Sequence, residues 1–237
     1  MALMLALLGV PAWARDDKVE PKALPVNSAD DEDHAHVADA GQTLYFTRTT
    51  KGKEVLRVAK RKGTAWASKS DPIESSVQNK GDIRGAWATA GGYPRYLYFA
   101  ARDEEGKNYD LFVGIQDGRD KVFTAVKPVA NACTPADEAH PWLGDGGKSL
   151  WFSRKTKDGW KVFVSRRASA ATGQGWREPE EAGLPAGFHH AALTPKGDTM
   201  FLQGPLEKDR WGLFVSRRAG KGWGEPKPLE MLNSAEG

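Results

Sequence analysis

Hydrophobic positions along this chain fall in short runs, alternating or continuous, and each run is closed by a polar or glycine-bearing turn. None sustains a convincing helical period of 3.6 residues, so the pattern predicts strands joined by tight turns. The clearest run is Asp145-Gly-Gly-Lys-Ser-Leu-Trp-Phe-Ser-Arg154, a turn leading into a strand. Trp160-Lys-Val-Phe-Val-Ser-Arg-Arg167 follows as its hairpin partner, and Gly175-Trp-Arg-Glu-Pro179 as a short outer strand. Nearly every residue of Leu150-Trp-Phe-Ser and Val162-Phe-Val-Ser is apolar, which predicts strands buried on both faces between neighbouring sheets.

The pattern repeats. It returns as Pro195-Lys-Gly-Asp-Thr-Met-Phe-Leu-Gln-Gly204, Trp211-Gly-Leu-Phe-Val-Ser-Arg-Arg218 and Gly222-Trp-Gly-Glu-Pro226. Weaker copies precede it at Asp39–Arg48 with Glu54–Val58, and at Tyr96–Ala101 with Asn108–Val113. Leu44, Leu97, Leu150 and Met200 are spaced 53, 53 and 50 residues apart. A period of about 50 residues filled only by strands is the length of one four-stranded propeller blade. The expectation is an all-β propeller of four recognisable blades, near 31–73, 79–130, 135–181 and 187–230, either closed as a ring or open as part of a larger one. In the first blade the strands fall near 34–38, 43–48, 54–60 and 65–73. Residues 19–28 resemble 224–234 and read as a further outer strand, with Pro21, Pro25, Pro226 and Pro228 suited to a sheet edge.

Composition adds little to this picture. Among 237 residues, 34 basic and 31 acidic side chains are interleaved, so nothing calls for nucleic acid. Met1 to Val10 is apolar and Pro11-Ala-Trp-Ala14 offers a small-x-small cleavage pattern, so residues 1–14 read as a secretory signal and the protein as periplasmic or secreted. A buried strand is the other reading of that segment. Residues 15–30 are then an N-terminal segment ahead of the propeller at 31–237. The single cysteine, Cys133, cannot form an internal disulfide, and no stable membrane span is expected.

The turn-and-strand signature at 145–152 and 195–201, with Phe163-Val-Ser-Arg-Arg and Trp176-x-Glu-Pro, resembles the TolB-type, WD-like propeller repeats. The second blade departs by lacking the Pro-Asp-Gly turn, and the first has Ala40 at the Asp position. That resemblance implies an exported, non-catalytic module that binds a protein or a cell-envelope polymer. Terminal blades left open would add self-association.

Aligning the four blade entrances puts Asp31, Asp82 and Asp137 in one column and His34, Gly85, His140 and His190 in another. Equivalent positions in a propeller converge on the central channel, so these acids and histidines, with Trp87 and Trp142, are the candidate ligand-binding residues at one channel mouth. Such a ring suits a divalent ion or a peptide terminus. Equally, each side chain can cap its own loop and bond the neighbouring blade, and because no short ligand spacing supports a metal, neither metal nor cofactor is expected. Trp66, Trp176 and Trp223, at matching blade positions, read as packing, and the Arg166-Arg167 and Arg217-Arg218 pairs as solvated faces. No nucleophile elbow, phosphate loop or zinc-helix motif occurs, so no catalytic residue is assigned. The enzymatic alternative is a carbohydrate-active propeller of glycosidase type, which needs only two carboxylates facing across a cleft.

Overall fold

The computed structural model describes residues 23–73, 75–102, 108–119, 122–169, 174–207, 210–230 and 232–233. The signal reading for 1–14 lies outside them, as do residues 19–22 of the N-terminal strand copy, whose described part, 23–28, forms a turn rather than the expected outer strand. The chain folds as four antiparallel sheets in succession. Blade one holds β1 (Asp31–Ala38), β2 (Thr43–Thr50), β3 (Lys53–Lys62), β4 (Ala65–Trp66) and β5 (Asp71–Pro72). Blade two holds β6 (Asp82–Ala88), β7 (Arg95–Arg102), β8 (Asp110–Gln116) and β9 (Thr124–Pro128). Blade three holds β10 (Glu138–Gly144), β11 (Ser149–Thr156), β12 (Gly159–Arg166) and β13 (Glu180–Glu181). Blade four holds β14 (His189–Leu193), β15 (Thr199–Pro205), β16 (Trp211–Ala219), β17 (Gly222–Trp223) and β18 (Lys227–Pro228). Each sheet is ordered as its strands follow in the chain, which makes this a four-bladed propeller arrangement.

The outer strands depart from expectation. In blades one and four the fourth strand breaks into two bridges, β4 and β5 on β3, and β17 and β18 on β16. Pro72 and Pro228 end the second bridge on the outermost strand, where the missing amide proton faces the side of the sheet that carries no further strand. One turn of helix, Ser75–Gln78, links blades one and two where the sequence predicted none.

Blades pack through both faces of their middle strands. On β11, Phe152 joins Tyr98, Leu111 and Trp176 between blades two and three, whereas Trp151 joins Val162, Met200 and Leu202 between three and four. Blades one and two share Tyr45, Leu56, Ile83 and Phe99. Burying each such side chain contributes about 1.5–3 kcal/mol. The far face of blade one, Leu44, Phe46 and Ala59, is covered by Val26, Leu24 and Trp66. Phe201, Leu213 and Val215 on the far face of blade four remain half-buried, and among the described residues no apolar cluster joins blade four to blade one.

Polar locks set the blade entrances. Glu32 accepts from Ser28 and from Arg48 Nε at 2.7 Å, and Arg48 also donates to the Val26 carbonyl. Blade three repeats this with Glu138, Thr134, Arg154 and the Ala132 carbonyl. Burial pushes the Glu138 carboxyl above the usual carboxylate range, against the opposing pull of Thr134 and Arg154. Blade four fills the equivalent place with Phe188, and Gly204 stands opposite because any Cβ there would overlap the Phe188 ring. The Trp176 assignment as packing fits its burial, while Trp223 is only half-buried. Arg167, expected on a solvated face, is instead buried, bonded to the Tyr98 hydroxyl and the Gly147 carbonyl and lying 4.1 Å from the Trp176 ring centroid. Among the described residues no helix is long and apolar enough to cross a membrane.

Candidate functional site

Each inner strand carries an irregularity at the same place. Register slips between Asp33 and His36, Arg84 and Ala86, Ala139 and Trp142, and His189 and Ala192. Inside these bulges His34, Gly85, His140 and His190 have φ of 53°, 61°, 56° and 55°. A bulge re-aims a side chain, and the left-handed conformation costs a residue with a Cβ about 1–2 kcal/mol. The amides of Gly85 and His190 are held by the hydroxyls of Thr47 and Ser153 on the preceding blade. A Cβ on Gly85 would lie 3.6 Å from His140 Cα and 3.7 Å from His34 Cβ, so the bulged backbones meet at the axis.

The three histidines therefore converge. Ring centroids are 4.9 Å apart for His34 and His140, 4.7 Å for His34 and His190, and 3.3 Å for His140 and His190. His34 Nδ1 contacts the Asp33 carboxylate, and His190 Nδ1 contacts His189 Nδ1. His140 Nδ1 is buried without a hydrogen-bond partner. Burial, reinforced by the neighbouring imidazoles, pushes His140 and His190 well below the ordinary histidine value, and burial with His34 nearby takes His189 to about 4. These three imidazoles are neutral at pH 7, which leaves each a lone pair.

Trp87 and Trp142 stand one tier deeper along the strands, around His36. The His36 ring is 5.2 Å from Trp87 and 5.7 Å from Trp142, and the two indoles are 6.1 Å apart. Burial brings His36 to about 4. All five histidines of the chain thus lie in this central cluster.

The acid column does different work. Asp82 accepts from the Glu54 amide at 3.2 Å and from Arg102 at 2.9 Å, and Asp137 accepts from the Tyr109 amide at 3.0 Å. Both clasp the preceding blade, while Asp31 is exposed at the start of β1. The columns that looked alike in the alignment divide here, with Asp82 and Asp137 joining blades and the histidines meeting at the centre.

A further column went unrecognised in the sequence. Glu54, Tyr109, Trp160 and Trp211 each stand two residues ahead of an aliphatic of a third strand, Leu56, Leu111, Val162 or Leu213, a spacing the repeat alignment contains. They ring the mouth at which the inner strands begin. Glu54 is paired with Arg84 and accepts from the Tyr109 hydroxyl at 2.8 Å, and the Arg84 guanidinium lies 4.5 Å from the Tyr109 ring centroid. On the other side Trp160 is 5.7 Å from His140, and Trp211, 51% exposed, is 4.8 Å from His189. The mouth is charged on blades one and two and aromatic on three and four.

No protein-family model matches the chain, and no curated protein is similar enough to place it. Solved structures do match most of its length. An endo-arabinase from Bacteroides thetaiotaomicron VPI-5482 matches with a TM-score of 0.63 at 16% identity, over 91% of this chain and 85% of that one. An endo-1,4-β-xylanase from the same organism gives 0.52 at 9% identity, over 82% and 74%. The α-L-arabinofuranosidase PaAbf62A from Podospora anserina gives 0.50 at 11% identity, over 92% and 72%. At these identities the likeness establishes the propeller fold.

These matches correct the resemblance to TolB-type, WD-like repeats, and with it the reading as a non-catalytic module for a protein or envelope component. The physical reason lies in what the signature encodes. Asp145, Gly146 and Gly147 have φ of 51°, 61° and 84°, and Asp39, Ala40 and Gly41 of 54°, 50° and 88°. The motif specifies a left-handed turn feeding an apolar strand, which any blade with that turn requires.

Proposed function

We propose that the protein acts on a carbohydrate polymer at the mouth where the inner strands begin, as a propeller of glycoside-hydrolase type. The observation that carries this is the pairing of an exposed indole, Trp211, and of Trp160, both packed on His189, with the charged groups Asp33, Glu54 and Arg84. The apolar face of a sugar ring stacks on indole while its hydroxyls need fixed polar partners, and this mouth supplies both. Asp33, half-exposed beside His34, and Glu54, positioned by Arg84 and Tyr109, are the two carboxylates available for acid–base work on a glycosidic bond. The likeness over most of the chain to an endo-arabinase and an endo-1,4-β-xylanase supports the same reading and selects the first substrates to try. An exported location, read from residues 1–14, belongs to this proposal because such polymers lie outside the cell.

The test is release of reducing ends from arabinan, arabinoxylan and xylan by the purified chain. Release is expected, with loss in Asp33→Asn and in Glu54→Gln whose folding is checked by circular dichroism, and a raised KM in Trp211→Ala. A folded protein that neither cleaves nor binds any of the polymers would overturn the reading.

A further inference from the structure

We propose that His34, His140 and His190 form a binding site for one divalent transition-metal ion of the zinc class at the centre of the propeller. Independently of the glycan reading, the argument begins with convergence. The three residues come from three different blades, and their ligand atoms all lie within 4.8 Å of one another. A tetrahedral ion with imidazole ligands at about 2.0–2.1 Å holds its nitrogens closer than that, so modest side-chain rotation closes the site.

The remaining ring nitrogens are already arranged. His34 Nδ1 is engaged by the Asp33 carboxylate and His190 Nδ1 by His189, and with the proton held on Nδ1 in these contacts each ring turns its Nε2 lone pair to a metal. A carboxylate on the far nitrogen fixes the tautomer and raises the basicity of a metal-binding histidine. His140 contributes a buried Nδ1 with no partner, a group that costs about 1–3 kcal/mol while unsatisfied and that an ion would satisfy. The left-handed backbone at all three histidines is a further cost that aiming the rings toward one point explains.

Ligand chemistry narrows the ion. Three imidazoles suit zinc, cobalt, nickel or copper and disfavour calcium or magnesium, which take oxygen. The fourth position of the same column is Gly85, which has no side chain to offer. The ring therefore supplies three ligands and leaves the fourth place to water or to an oxygen of a bound molecule. Of the charged groups nearby, Arg84 is paired by Glu54, and Asp33 provides negative charge beside His34.

The experiment titrates the chelator-treated, folded chain with Co²⁺ and then with Zn²⁺. One equivalent of Co²⁺ is expected to give the visible absorption of a low-coordinate cobalt site, which Zn²⁺ abolishes by displacement. His34→Gln, His140→Gln and His190→Gln should each weaken binding at least a hundredfold, whereas His36→Gln, one tier deeper, should bind as the parent does. A second measurement needs no variant: on adding Zn²⁺, NMR should show the ring signals of His34, His140 and His190 shifting together as direct ligands. Failure of the folded parent to take up either ion at millimolar concentration would overturn the proposal. So would undiminished binding in the three variants, or ring shifts confined to His36 and His189.

Discussion

The two halves of the mouth use one structural position in opposite ways. On blades one and two, the residues opening the third strands are Glu54 and Tyr109, both buried, bonded to each other and stacked under Arg84. On blades three and four they are Trp160 and Trp211, the second of them half in solvent. The difference teaches that a repeat position has no fixed role. Where the side chain is charged, partners from the next blade hold it in one position, as a carboxylate proposed for acid–base work requires, and where it is a large indole with one face free, it offers a stacking surface to a ligand.

Stability measurements can break this comparison. Glu54→Ala strands the Arg84 guanidinium and the Tyr109 hydroxyl, and should cost about 3–5 kcal/mol in urea unfolding. If it costs no more than a surface change, the charged half is not a structural lock. Trp160→Ala removes a half-buried ring from beside His140 and His189, and should cost about 2 kcal/mol by thermal melting. Gly85→Ala places a Cβ in ordinary contact with His34 and His140 but at φ +61°, so a loss of about 1 kcal/mol is expected in a chemical denaturation series. Trp211→Ala should leave the unfolding free energy within about 0.5 kcal/mol of the parent while weakening polysaccharide retention in affinity electrophoresis. Equal retention by the variant would show that the aromatic half is not the platform.

Much of the fold was legible because propeller physics writes itself locally. Apolar runs such as Leu150–Phe152 mark strands buried on both faces, and left-handed turns such as Asp145–Gly147 favour glycine, which closes both copies at Gly41 and Gly147. The broken outer strands were not legible, since a two-residue bridge leaves no alternation to read. At the site, the alignment brought out the histidine column but gave no sign of the bulge that turns its members inward, because a register slip is a property of two paired strands. Trp160 and Trp211 escaped notice for a simpler reason: beside Val162 and Leu213 they read as more of the same apolar strand.

The acid clasps bear on how the chain assembles as it is made. Asp82 and Asp137 each reach back to an amide that lies 28 residues earlier, on the blade already complete. No blade has to wait for a later one to satisfy its clasp. Short-range closures of this kind favour rapid, stepwise assembly from the N-terminus during synthesis, each emerging blade meeting a finished surface that presents its docking amide.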